Sequence, residues 1–189
     1  LVPDYPALAT DVVHHVGQPV AAVVARSREE AEDAADLVEV DYQELPAVTD
    51  AREALRDGAP MLHPGLGTNE AYHTEIHAGP VEDIFQSADA IVEAEFEIQR
   101  QTALPMEGRG VLVHPDDGAG GITLWATVQH PHLYRDELAE MFGLPQDRLR
   151  VIVPDLGGAF GAYYEVYPED VVALWIAMNY QVDVRWLED

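Results

Sequence analysis

Leu149-Arg150-Val151-Ile152-Val153-Pro154-Asp155-Leu156-Gly157-Gly158-Ala159-Phe160-Gly161 is the stretch whose reading decides the fold. Its first five residues are an apolar, β-branched run, which predicts a strand. Glycines follow at once. An apolar helix is predicted over about 167–178, and a closing strand over 182–187. Strand, glycine-rich turn and helix follow one another here. Glycines at such a turn let the backbone approach a ligand, and successive N–H groups can make an anion nest. That is a common address for phosphate. The string is not Gly-x-Gly-x-x-Gly and it lacks a P-loop lysine. Taken alone, a tight turn with no ligand is an equal reading.

Working outward, Ile91–Ile98 alternates with period two and predicts a half-buried strand. Strands are predicted at 110–113 and 122–127, joined by the turn-rich Pro115-Asp116-Asp117-Gly118. Leu133, Glu137, Leu138 and Met141 mark a helix over 132–142. Nearer the N-terminus, residues 11–25 read as strand, broken by the turn Gly17-Gln18-Pro19. Ser27 caps a helix with Glu29 and Glu30 in its first turn. That helix runs to about Leu37 and a strand is expected at 38–42, so strand, helix and strand there read as one α/β unit. One or two helical turns are expected at 49–55 and a short helix at 80–88. Between them, 57–80 is rich in glycine and proline and reads as a loop or linker. The fold class is α+β, a mixed α/β arrangement.

Charge narrows the function. Ten basic residues, all arginine, stand against 35 acidic ones, a net charge of −25. That opposes nucleic-acid binding and docking on an anionic membrane. No apolar run is long enough to cross a bilayer. Without lysine there is no Schiff-base or P-loop lysine; without cysteine there is no thiolate site within this chain. There is also no Gly-x-Ser-x-Gly elbow. His73 and His77 are spaced for a metal on a helix, but Glu75 is misplaced for His-Glu-x-x-His and the flanks read as loop. These two, His14-His15 and His130-Pro131-His132 read more simply as polar turn residues. Glu29, Glu30, Glu32 and Asp33 read as a solvated helix face. Both ends of the chain read as the interior of something longer.

Several strings in collinear order resemble one family. Val16-Gly17-Gln18-Pro19-Val20-Ala21-Ala22-Val23-Val24-Ala25, with Val38-Glu39-Val40-Asp41-Tyr42 and Leu45-Pro46-Ala47-Val48, resembles the α/β-hammerhead domain of molybdenum hydroxylases. Pro105-Met106-Glu107-Gly108-Arg109-Gly110 resembles the start of their molybdopterin-binding region. Leu124-Trp125-Ala126-Thr127-Val128-Gln129-His130-Pro131-His132 resembles the glutamine segment, and 151–161 the glycine loop. Tyr167-Pro168-Glu169 and Val184–Asp189 also fit. The resemblance is to the large subunit of xanthine dehydrogenase, aldehyde oxidase and aerobic carbon monoxide dehydrogenase type enzymes, leaning to the carbon monoxide dehydrogenase-like branch.

The resemblance implies a hammerhead portion at 1–57, a linker at 58–80 and part of a molybdopterin-binding domain at 81–189. It implies an internal fragment, inactive alone, of a cytoplasmic enzyme that oxidises a small molecule with water as oxygen source. The cofactor would be a molybdenum-pterin, of the cytosine dinucleotide form. A [2Fe-2S] centre and FAD would sit on other subunits or domains, making the iron–sulfur and flavin subunits and the rest of the large subunit its partners. Gln129 would approach an oxo ligand of the metal, and Gly157, Gly158, Ala159, Phe160 and Gly161 would line the cofactor. Phe160 and Tyr164 would face substrate. No residue here would ligate the metal directly, and the general base would lie beyond Asp189. One departure stands out. The family's loop commonly continues with a lysine, followed in the purine-oxidising branch by a glutamate. Here Ala162-Tyr163-Tyr164 follows Gly161, and Tyr164 holds the glutamate's place. Two rival readings remain at this stage: a cofactor-free scaffold or assembly module of the same fold, and a His-based metal-binding module.

Overall fold

The structure, a computed structural model, describes residues 5–116 and 120–188. These divide into two compact units: Asp41–Arg100 with Tyr5, and Pro6–Val40 with residues 101–188.

The second unit holds the core. Strands β1 (Gly110–Pro115), β2 (Ile122–Ala126), β3 (Leu149–Ile152) and β4 (Val184–Leu187) form one sheet in the order β3-β2-β1-β4. β1 pairs antiparallel with β2, Val113 opposite Leu124, and with β4, Val111 opposite Trp186. β2 and β3 are parallel, with Leu124 opposite Val151. A parallel pair needs a crossover. Helix α4 (Pro131–Phe142) supplies it, and α5 (Pro168–Tyr180) links β3 to β4. Val111 and Val113 alternate on β1 and meet Leu124 and Ala126, with Tyr134 and Leu138 of α4 and Ala173, Leu174 and Ala177 of α5, in one buried cluster. Gly143, at φ 62°, ends α4 in the left-handed region that favours glycine. The same unit contains α1 (Arg28–Ala35), capped by Ser27, whose Oγ accepts from the Glu30 N–H at 3.2 Å. Before it, the turn expected at Gly17–Pro19 is present. Gln18 is buried there, and its Oε1 accepts from the His14 N–H at 2.7 Å.

The first unit has no buried residue among those described. Its helices are α2 (Ala51–Ala54) and α3 (Val81–Ser87), with a 3₁₀ turn at Pro64–Leu66. Asp50 caps α2, accepting from the N–H groups of Arg52 and Glu53. Asn69 ties the loop: its amide donates to the carbonyls of Ala54 and Pro60 and accepts from the Leu62 N–H, each at 2.9 Å. Arg52 and Glu95 form an ion pair.

Three expected strands, 11–25, 38–42 and 91–98, are not in any ladder among the described residues. Their backbones have no neighbouring strand to bond with. Val24, Tyr42, Phe96 and Ile98 are accordingly exposed. Alternation marks a strand's face, but a strand also needs a partner for its N–H and C=O groups. The turn expected at Pro115–Gly118 falls partly outside the described residues. The other expected helices and strands are present, with ends shifted by one or two residues. No helix among the described residues is long and apolar enough to cross a membrane.

Candidate cofactor site

Three segments of the second unit converge beside the C-terminal ends of β2 and β3: Glu107–Arg109, Gln129 and the loop 153–164. Tyr163 joins them. It is 2% exposed. Its N–H donates to Gln129 Oε1 at 3.3 Å, and its carbonyl accepts from the Gln129 N–H at 2.8 Å. Its hydroxyl donates to the Glu107 carbonyl. Burial raises the Tyr163 hydroxyl above its ordinary pKa, so it stays a donor. The Gln129 oxygen is thus spent on the backbone, and the exposed –NH₂ end of the side chain is what remains to meet a ligand.

The glycine loop carries its own donors. The Gly157 N–H donates to a Glu107 carboxylate oxygen at 2.8 Å. The N–H groups of Gly158, Ala159, Phe160 and Gly161 make no hydrogen bond among the described residues. At Gly157 and Gly158 a side chain would have to push a neighbouring side chain aside. A Cβ on the first would lie 2.9 Å from the Glu107 carboxylate, and on the second 2.8 Å from the Phe160 ring. Phe160 is left-handed, at φ 53°, and its ring is 80% exposed. For a bulky residue that backbone costs roughly 1–2 kcal/mol, and such strain gathers at functional sites. The adjoining Gly161 also has positive φ, at 91°. Tyr164 is half-exposed and stands edge-on to His130, ring centres 4.2 Å apart.

Behind the site, Arg109 clamps three elements. Its guanidinium donates to Glu188 from Nε at 3.0 Å and from a terminal nitrogen at 2.9 Å, while its backbone N–H meets the other Glu188 oxygen at 2.8 Å. It lies 3.7 Å above the Tyr167 ring and 3.6 Å from Glu169. Burial works against its charge, but Glu188 and Glu169 outweigh it and hold the guanidinium above its ordinary pKa. Gly108 passes so close to the Glu188 backbone that a Cβ would sit 3.1 Å from its carbonyl oxygen. Beneath lies Asp170, 8% exposed, capping α5 by accepting from the Tyr167 N–H at 3.0 Å. Burial pushes its carboxyl up to about 6, against the pull of that N–H and of Arg109. The buried Tyr134 hydroxyl lies beside it, outside hydrogen-bonding geometry.

The structure brings Gln129 to the loop and leaves the histidines scattered. His73 and His77 are exposed, each paired with Glu75, and no group of three metal-ligating side chains forms among the described residues. His132 is exposed on α4. A cleft of about 610 Å³, lined by residues such as Ala21, Val23 and Trp186, contains neither Gln129 nor the glycine loop. Sequence reading missed Glu107, Arg109, Tyr163 and Asp170 as site supports. Their motif strings are visible in the sequence, but their contacts bridge up to 79 residues.

The arrangement defines a class: an α/β unit that presents unpaired backbone N–H groups and a carboxamide to an anionic ligand. A molybdenum-pterin with its phosphate fits that donor set, which offers hydrogen bonds and needs no metal-ligating side chain. Residues 62–189 match the family described as the molybdopterin cofactor-binding domain, and 3–46 match the a/b hammerhead domain of aldehyde oxidase and xanthine dehydrogenase. The chain belongs to the molybdopterin cofactor-binding family. It is 40% identical over 185 residues to the 6-hydroxypseudooxynicotine dehydrogenase complex subunit gamma of Paenarthrobacter nicotinovorans, covering 98% of this chain and 23% of that protein. Among solved structures it is similar to quinoline 2-oxidoreductase from Pseudomonas putida 86, with TM-score 0.88 and 36% identity over 97% of this chain and 23% of that one. It is also similar to a Cu,Mo-CO dehydrogenase, with TM-score 0.84 and 31% identity over 97% of this chain and 25% of that one. The chain therefore spans about a quarter of the length of these relatives.

Proposed function

We propose that this chain supplies the glycine loop and the glutamine of a molybdenum-hydroxylase large subunit. The parent enzyme oxidises a small molecule, such as carbon monoxide, an aldehyde or an N-heterocycle, with water as the oxygen source. The observation that carries this reading is the pairing of Gln129, tied through its oxygen, with the four unpaired N–H groups at 158–161. The bound molybdenum-pterin would supply two-electron oxidation. The chain's own residues bind and orient. Gln129 would help hold the cofactor by donating its amide N–H, where a carboxylate would repel. Gly157, Gly158, Ala159, Phe160 and Gly161 line the pterin. Phe160 and Tyr164 present aromatic surface to substrate. The general base lies outside this chain. A cytosine dinucleotide form of the pterin, [2Fe-2S] and FAD on other subunits or domains, and a cytoplasmic setting complete the proposal.

The domain division that goes with it is a hammerhead portion at 1–57, a linker at 58–80 and a cofactor-binding portion at 81–189. The exposed Phe160 and Tyr164 favour this reading over a cofactor-free scaffold, which would cover that surface with polar groups. The test is the mass and metal content of the native polypeptide in its source cells. A polypeptide several times heavier than 20.8 kDa and carrying molybdenum is expected. A native polypeptide of that smaller mass without molybdenum would return the chain to a scaffold role. The isolated 189 residues are expected to show no molybdenum-dependent turnover.

A further inference from the structure

We infer that Glu107 is a positioning residue for the cofactor loop, held in place by the Tyr163 hydroxyl, and that it acts as a hydrogen-bond acceptor rather than as a charge. The inference rests on the cofactor reading above. The loop from Val153 to Val166 contains no helix or strand, so its shape depends on individual hydrogen bonds. Its first glycine N–H is taken by the Glu107 carboxylate at 2.8 Å. With that donor engaged, the chain turns so that the next four N–H groups stay unpaired.

The carboxylate can serve as a fixed post because its own backbone is fixed. The Tyr163 hydroxyl holds the Glu107 carbonyl, Gly108 packs on the Glu188 backbone, and Arg109 is bound by Glu188 through both main chain and side chain. Tyr163 also binds Gln129 through its N–H and carbonyl. One buried residue thereby sets the spacing between the carboxamide donor and the loop donors. The family resemblance leads one to expect a lysine in Ala162–Tyr164. Here a buried tyrosine builds the link instead.

The acceptor role separates two variants. Glu107→Gln keeps an oxygen for the Gly157 N–H and removes the charge, whereas Glu107→Ala removes both. In the native polypeptide, exchange of the Gly157 amide, read by mass spectrometry on peptides spanning 153–160, is expected to be at least ten-fold faster in Glu107→Ala. Molybdenum per polypeptide is expected to fall several-fold in the same variant. Glu107→Gln should restore both. Tyr163→Phe, which keeps the backbone bonds to Gln129, should give an intermediate exchange rate. Unchanged protection in Glu107→Ala would overturn the inference. So would a Glu107→Gln variant as defective as Glu107→Ala, because charge would then be what matters. A native wild-type polypeptide without molybdenum overturns the cofactor reading instead, and the exchange data still judge the Glu107 contact by themselves.

Discussion

Ile91–Ile98 and Gly110–Pro115 both cover expected strands, yet they end in opposite states. The second is β1, bonded on both sides by β2 and β4, with Val111 and Val113 fully buried. The first is in no strand ladder among the described residues, with Val92 91% and Ile98 88% exposed. The contrast extends to their surroundings. No described residue of 41–100 is buried, whereas the unit containing 101–188 holds the whole hydrophobic cluster. Hydrophobic periodicity shows which face of a segment would be buried. Whether it is buried depends on a partner that the segment does not encode.

The largest expected effect tests that contrast directly. Leu124→Ala removes a fully buried side chain from the sheet and should cost about 2–5 kcal/mol. Ile98→Ala removes an exposed one and should change stability by less than about 0.5 kcal/mol in this chain. Urea unfolding of the two variants beside the wild type measures both. A loss above about 2 kcal/mol for Ile98→Ala would show 91–98 packed in solution and would break the comparison.

Next in size is a pH effect confined to the packed unit. Asp170 has a carboxyl pushed up to about 6 by burial, against 3.8 ordinarily. The folded state therefore holds the proton more tightly than the unfolded state. Stability from this group is complete below about pH 4 and is lost as the pH rises to about 6, after which the loss stays constant. The penalty is on the order of 3 kcal/mol. Asp170→Asn keeps an oxygen to cap α5 and cannot ionise. Its stability relative to wild type should rise by up to about 3 kcal/mol between pH 4 and 7.5. Paired denaturation curves at those two pH values would falsify the assignment if the difference did not change with pH.

Much of the packed unit was legible in the sequence because its signals are local. Ser27 and the apolar runs of β1, β2 and β3 place their elements within a residue or two. The glycine loop and Gln129 were legible as motif strings. Their supports were not. Tyr163 looked like a departure in the loop, yet its hydroxyl reaches a carbonyl 56 residues away. Arg109 looked like one more letter of a motif, yet it meets Glu188 across 79 residues. Asp170 was not singled out in the sequence, yet it is buried beside Tyr134 of α4. Pairings of that kind come from topology, which local periodicity does not fix.

The smallest expected effect concerns Phe160, where local strain and exposure occur together. A core residue such as Leu124 gains from its burial. Phe160 has a ring 80% exposed and a left-handed backbone, so its place in the loop is not explained by stability. Phe160→Gly removes the left-handed strain and adds flexibility to the unfolded chain. These oppose each other and should leave a net gain of up to about 1 kcal/mol. Gly158→Ala brings a Cβ to 2.8 Å from the ring of the exposed Phe160, which can swing aside, so it should cost less than about 0.5 kcal/mol. In the double variant no ring has to move, so the two changes should be non-additive by less than about 0.5 kcal/mol. A double-mutant cycle on urea midpoints reads this coupling. If Phe160→Gly is stabilising but lowers molybdenum content or turnover of the native polypeptide, the strain is kept for the aromatic surface it presents. If it destabilises by as much as a core truncation, Phe160 belongs with the packed side of the comparison.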